Sequence, residues 1–272
     1  MMDKIAKLIK GPGKYLPLFP KILLQHLCFL FRGSSFFMQG QMDINPRSRW
    51  YNPEFVRMTG GYGLTGEKNG KREIVDMEPW DTTRRDMLVL LIRTVLQNRV
   101  EGDFAELGVY RGSSAKVIHY YAPEKRLYLF DTFEGFHRTD VLAEKRQTGM
   151  SVSDHHGFTG TSLEQVSQYI KPKNGNVLFY PGYFPESIPE GFERYRFAFV
   201  HLDVDLYEPT YKGLQFFYPR LSTDGIMVVH DYNAWPGVRM AVDDYFLNKK
   251  ESPIPMPDKS GSALIMKQKD TD

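Results

Sequence analysis

Cysteine is nearly absent from this 272-residue chain, which has only Cys28. One thiol excludes an intramolecular disulfide and any zinc site built from several cysteines, and it fits a reducing, cytoplasmic setting. An excess of one charge is also missing, since 35 Lys and Arg meet 33 Asp and Glu. Without a global positive field, nucleic acid is not an expected partner. Long apolar runs are missing too. The longest, Ile22 to Phe31, covers about ten residues and includes Gln25 and His26, where a spanning helix needs roughly twenty. Pro17, Pro20 and Lys21 interrupt the place where a secretory signal would have its apolar middle. The stretch GGYGLTG, from Gly60 to Gly66, lacks the Lys and Ser or Thr that end a P-loop, and no strand precedes it.

What is present falls into two unequal parts, 1–80 and 81–272. Residues 1–33 carry Lys4, Lys7, Lys10, Lys14, Lys21 and Arg32 against Asp3 alone. Lys21, Gln25, Cys28 and Arg32 form one stripe of a helix whose other faces are apolar. Such a helix must cover its girth, either in a homodimer interface or on an anionic membrane surface. The stretch from 34 to 80, poor in periodic hydrophobics, reads as an irregular flap.

From residue 82 the pattern turns regular. Met87, Leu88, Leu91, Ile92, Val95 and Leu96 mark a helix with Thr82 or Thr83 as its N-cap. Short apolar runs at 104–107, 126–130, 177–180, 197–202, 226–229 and 263–266 then alternate with helical patterns at 113–121, 162–170, 209–221 and 238–248. Thr161 or Ser162 opens a capping box, and Pro209 suits a first helical turn. Short, continuously apolar strands alternating with helices predict a doubly wound, mostly parallel α/β sheet. One connection is too long for that scheme. More than forty residues separate Phe130 from Val177, and Phe133 to Gly160 reads as a structureless lid over the carboxyl ends of the strands.

Two clusters carry chemistry. In FAELGVYRGSS, the first predicted strand runs into a turn that holds Gly108 and Gly112, and Ser113 opens the next helix. Glycines there admit a ligand close to the backbone, beside the free amides of a helix start. Asp131 ends the next strand, 23 positions after Gly108, where a carboxylate accepts the two hydroxyls of a ribose; Thr132 follows it. A dinucleotide fingerprint needs glycine where Tyr110 stands, so pyrophosphate is disfavoured. Glu106 adds negative charge that suits a sulfonium ligand with an ammonium group. S-adenosylmethionine is therefore favoured over a nicotinamide cofactor. Thr83, at a helix start, is a candidate for the donor's carboxylate, although capping explains it equally well.

The second cluster is His201-Leu-Asp203-Val-Asp205, with Val229-His230-Asp231 ending the next strand. Neighbouring parallel strands would bring Asp203, His230 and Asp231 together as a divalent-metal site. Asp205 reads either as a functional acid or as a cap of the helix at Pro209. Asp154, His155 and His156 in the lid read as solvated. Trp80, Tyr183, Phe184 and Trp235 read as core or as platforms for adenine or sugar.

The segments GDFAELGVYRGSSA, FDTFEGF, PGYFPES, FVHLDVDLYEPTYKGLQFFYPRL and DGIMVVHDYNAWPGVRMAVDDYF, in that order over residues 80–250, resemble the macrocin O-methyltransferase family. That resemblance implies a class I methyltransferase fold, S-adenosylmethionine as methyl donor, a sugar hydroxyl as acceptor, Mg²⁺ at the strand ends and dimeric or larger assembly. It places the donor on Glu106, Gly108, Gly112 and Asp131, and makes Asp203 a metal ligand and general base. The family's paired aspartates fall on His230 and Asp231, so one acid is missing. An imidazole favours Mn²⁺, Fe²⁺ or Zn²⁺ over Mg²⁺, and His230 either changes the metal, leaves the shell or becomes a base. Two other readings stay open. Asp203-Val-Asp205 is also the DxD of nucleotide-sugar glycosyltransferases, and loss of the acid would suit a non-catalytic donor-binding homologue.

Overall fold

The computed structural model describes residues 67–68, 71–72, 81–152, 158–172 and 174–269. The basic amphipathic helix, Cys28, the GGYGLTG stretch, Trp80 and the 154–156 triplet lie outside these residues. Of the proposed 1–80 extension only a two-strand antiparallel pair is described, β1 (Glu67–Lys68) with β2 (Lys71–Arg72).

The helix α1 (Thr82–Gln97) buries Leu88, Ile92 and Val95 completely, at about 1.5–3 kcal/mol each. Its N-cap is Asp81 and neither threonine: the Asp81 carboxylate accepts from Arg84 N at 3.1 Å. Asp and Thr are both good caps, so the sequence alone did not separate them. There follow β3 (Asp103–Leu107), α2 (Ser113–Tyr121), β4 (Leu127–Asp131), α3 (Arg138–Thr148), α4 (Leu163–Ile170), β5 (Val177–Pro181), β6 (Phe197–Leu202), α5 (Tyr207–Phe217), β7 (Leu221–Val229), α6 (Pro236–Phe246), β8 (Ile254–Pro255) and β9 (Ala263–Met266). Ser162 takes the N-cap of α4, its hydroxyl accepting from Gln165 N.

Seven strands form one sheet in the order β5-β4-β3-β6-β7-β9-β8. The first five are parallel, and β9 runs antiparallel to both β7 and β8. Both faces are covered, as the apolar runs predict. Leu88, Ile92, Ile118, Phe104 and Phe199 fill the face under α1 and α2. Phe130, Val200, Leu214, Phe217 and Val242 fill the face under α5 and α6. The order reverses between β3 and β6, and open α/β sheets bind ligands outside the strand ends at such a switch point.

The lid is less irregular than expected, because it holds α3. Its C-terminal half, Glu144 to Thr148, is wholly polar and its apolar residues are confined to Val141, Leu142 and Ala143, so hydrophobic periodicity is faint. What anchors α3 is Glu144, a fully buried side chain whose carboxylate accepts from Tyr207 N at 2.8 Å. The same carboxylate presses on the first turn of α6, where a Cβ built on Gly237 would lie 2.2 Å from both of its oxygens. One anion thus sits at the amino ends of two helices, where unpaired amides and the helix dipoles favour it.

Candidate active site

A crevice of about 340 Å³ opens at the carboxyl ends of β3, β4, β6 and β7, within the size range of small-molecule sites. Gly108, Asp131 and Thr132 line one wall, Asp203, Asp205, His230 and Asp231 the other, and Phe136, His137, Asp140 and Phe158 of the lid cover it. Tyr183, Phe184 and Trp235 also line it. Six predicted site residues are therefore brought together, whereas Thr83, Glu106, Gly112 and Ser113 do not line the crevice.

The register explains the two walls. Leu107 pairs with Leu202, and Leu202 with Val229, so Gly108, Asp203 and His230 emerge side by side. Gly108 has φ +86°, and a Cβ there would stand 2.0 Å from the Asp203 carbonyl oxygen. Glycine is required because β6 passes so closely. Gly112, also at positive φ, packs against Val166 and Ile170 of α4, so helix packing rather than ligand approach explains it.

Asp131 closes the turn. Its Oδ2 accepts from Val109 N at 2.6 Å and Tyr110 N at 2.8 Å, and its Oδ1 from Phe133 N at 2.7 Å. Each carboxylate oxygen accepts more than one hydrogen bond, so the acid that orients the turn keeps acceptor capacity toward the crevice.

Glu106 does not line the crevice. Alternation along β3 puts Phe104 and Glu106 on the face beneath α1, where Glu106 is fully buried. His201, its neighbour across β6, approaches it at 2.8 Å through Nδ1. The other ring nitrogen of His201 lies 3.4 Å from Arg84 Nη2.

Arg84 is the crevice residue that the sequence pattern did not single out. It is buried, and its Nη2 donates to Asp203 Oδ2 at 2.5 Å. His230 Nδ1 lies 2.8 Å from Asp203 Oδ1 and 2.9 Å from Asp231 Oδ2. Burial alone would raise the Asp203 pKa, but the charges of Arg84 and His230 outweigh it and hold the carboxyl well below the usual range. Burial lowers the His230 pKa, and the Asp203 charge reverses this, pushing it up to about 10. Asp205 moves the other way. Burial, the Asp203 charge and a hydrogen bond to Asp231 push it well above the usual carboxylate range. Nor does Asp205 cap a helix: the N-cap of α5 is Leu206, without a side-chain bond, and Glu144 supplies the acceptor instead. Tyr110, Asp205 and Asp231 all line the crevice with φ between +49° and +60°, a conformation that costs a non-glycine residue energy.

The predicted metal trio does converge. One ligand atom each of Asp203, His230 and Asp231 lies within 4.8 Å of the others. A second trio, Asp81, His230 and Asp258, meets the same criterion. Asp81 and Asp258 had no local signal, one standing before a helix and the other in the loop between β8 and β9.

A crevice at the switch point of this sheet, with an acid closing the turn after β3, defines the class I methyltransferase fold. The family model for macrocin-O-methyltransferase (TylF) matches residues 80–264, and the chain belongs to that family. A methyltransferase of Streptomyces olivaceus, named for the 4'-O-methylation of a dimethoxyrhamnosyl-tetracenomycin, is 34% identical over 170 residues, 60% of this chain and 64% of that protein. The mycinamicin III 3''-O-methyltransferase of Micromonospora griseorubida is 28% identical over 57% of this chain and 64% of its own. The match thus spans just under two thirds of these relatives. Among solved structures, the O-methyltransferase NovP superposes with a TM-score of 0.59 at 21% identity, covering 90% of this chain and 99% of that one. The calicheamicin methyltransferase CalS11 gives 0.57 at 21% identity over 79% and 93%.

Proposed function

We propose that the chain is an S-adenosylmethionine-dependent O-methyltransferase acting on a hydroxyl of a sugar-bearing small molecule. The observation that carries this reading is one crevice with a glycine turn and Asp131 on one wall and four ionisable side chains on the other. The relatives' names supply the acceptor class. The donor fits, since the cavity has room for a nucleoside-sized ligand, apolar walls at Leu107, Phe130 and Val204, and an acid at its edge.

When bound, the donor supplies a methyl group already activated on a positive sulfur. The chain must therefore bind, align and accept a proton. Asp131 and Thr132 meet the ribose side. Asp205 is the general base in this reading, replacing Asp203: a carboxyl with raised proton affinity is the stronger acceptor, and general bases contribute roughly 10²–10⁴-fold. Asp203, clamped by Arg84 and His230, stays an anion and fixes the wall. His230 keeps a proton on Nδ1, held between Asp203 and Asp231. The lid helix α3, anchored through Glu144, excludes water and aligns the acceptor, an effect worth up to about 7–11 kcal/mol in ideal intramolecular models.

The divalent metal implied by the resemblance does not fit this crevice wall. The Arg84 guanidinium and the His230 Nδ1 proton fill the space that faces the Asp203 carboxylate, and a ring nitrogen that carries a proton is not a metal ligand. Charge compensation there falls to Arg84 and His230.

Calorimetric titration with S-adenosylhomocysteine and with a nucleoside diphosphate tests the reading. Binding of the first, with turnover of a rhamnosylated acceptor, is expected. Binding of the diphosphate alone would turn the reading toward glycosyl transfer, and donor binding without turnover toward a non-catalytic homologue. The resemblance also suggests a dimer, and the basic stripe of residues 1–33 suggests the contact surface. Size-exclusion chromatography with light scattering on chains with and without those residues examines both.

A further inference from the structure

The imidazole of His230 has two faces, and only one belongs to the crevice. Nδ1 is held between Asp203 and Asp231. Nε2 points the other way and has no hydrogen-bond partner, although His230 is only 8% exposed. Asp258 Oδ2 lies 4.0 Å from it, too far for a hydrogen bond. A buried ring nitrogen without a partner costs stability, and a proton on it would be equally orphaned.

Behind this nitrogen lie two further acids, Asp81 at 8% and Asp258 at 6% exposure. One ligand atom from each of Asp81, His230 and Asp258 lies within 4.8 Å of the others. Neither aspartate lines the crevice. Both are held in place, as metal ligands are by their outer partners: Asp81 accepts from Arg84 N, and Asp258 accepts from Ser262 N at 2.7 Å and Ser262 Oγ at 2.6 Å. Each carboxylate retains free lone pairs. Tetrahedral ligands at roughly 2.1 Å from one ion lie about 3.4 Å apart, so an ion would have to draw Nε2 and Asp258 Oδ2 together from 4.0 Å.

The geometry points to a divalent transition-metal site formed by His230 Nε2, Asp81 and Asp258, which shares only His230 with the acid wall of the crevice. One nitrogen with two carboxylate oxygens selects Mn²⁺, Fe²⁺ or Zn²⁺ over Mg²⁺ or Ca²⁺. The ion takes the place of any proton on Nε2 and leaves the remaining ring proton on Nδ1, aimed at Asp203 and Asp231. Its role is to position His230, so the site stands whether or not the methyl-transfer reading holds.

The test uses the full chain, stripped with chelator and titrated with Zn²⁺ and Mn²⁺ in the absence of donor and acceptor. Calorimetry should give one ion per chain, and melting should rise with either metal. Asp258→Asn and Asp81→Asn should each weaken binding by at least about tenfold; Asn preserves the N-cap at position 81. Asp131→Asn, on the opposite wall of the crevice and bonded to backbone amides, should change it by less than about threefold. Where a variant fails to fold in the metal-free state, spin-echo spectroscopy of Mn²⁺ on the wild type decides, by showing modulation from an imidazole nitrogen. No ion bound, binding unaltered by Asp258→Asn, binding lost in Asp131→Asn, or Mn²⁺ without nitrogen coupling would each overturn the site and leave an ordered water as the partner of Nε2.

Discussion

On the β3–β4 side of the crevice the one acid, Asp131, is satisfied by three backbone amides within a few residues of the turn it closes. On the β6–β7 side, Asp203 and Asp231 are satisfied by side chains, Arg84 from a helix more than a hundred residues earlier and His230 from the next strand. Backbone amides belong to the fold and vanish only with it. Side-chain cations are replaceable, so chemistry on that wall can change while the sheet stays the same. The two walls should therefore respond differently to mutation, and each prediction probes that difference.

The largest effect is expected on the side-chain wall. Asp205→Asn should lower kcat by roughly 10²–10⁴-fold while leaving S-adenosylhomocysteine affinity unaltered. The proton must be accepted by the ionised carboxylate, and the Asp205 pKa is raised. Wild-type turnover should therefore climb with pH along a limb whose midpoint lies above the ordinary carboxylate range, and Asp205→Asn should lose that limb. An equal loss in Asp203→Asn, with Asp205→Asn active, would return the base to Asp203.

Arg84→Gln comes next. Removing one partner from a buried pair costs about 3–5 kcal/mol, and denaturant unfolding should read a loss of that order. The pH dependence has a definite sign. Asp203, depressed in the folded state, contributes stability that is present above the ordinary Asp pKa and lost as pH falls through the depressed value. Without Arg84 that acid-side loss should begin at higher pH.

Why the sequence foretold one wall better than the other follows from these same contacts. The Gly108 turn and Asp131 are legible because strand, glycine and acid lie at fixed local spacing, and the parallel sheet made Asp203, His230 and Asp231 neighbours by strand order alone. Arg84 carries no such signal, since an arginine in the first turn of an amphipathic helix is ordinary. Glu106 was misassigned because period-two alternation was not followed through β3: Phe104 under α1 implies Glu106 under α1. Asp205 looked like a cap because Glu144, the true acceptor, comes from an element whose helix was hidden by its polarity.

On the backbone wall, Asp131→Asn should weaken S-adenosylhomocysteine binding by roughly tenfold and cost about 1–3 kcal/mol of stability, since an amide nitrogen would oppose backbone N–H donors. The two losses should appear together if the carboxylate that orders the turn is also the one that meets the donor, as proposed. Calorimetry and melting on one preparation check this. Donor affinity lost without stability would mean that the turn holds its shape without Asp131.

The smallest effect separates the lid from both walls. Glu144→Gln keeps the shape of the side chain but removes its charge from the amino ends of α5 and α6, so the expected loss is about 1–2 kcal/mol from the helix-end interaction and the weakened bond to Tyr207 N. Donor affinity should stay within about twofold, because Glu144 touches neither wall. The apparent KM for acceptor should rise instead, since Asp140 and His137 of the same lid segment line the crevice and are positioned through α3. If stability falls while the acceptor KM stays fixed, α3 is only a strut, and closure over the acceptor belongs to another part of the connection.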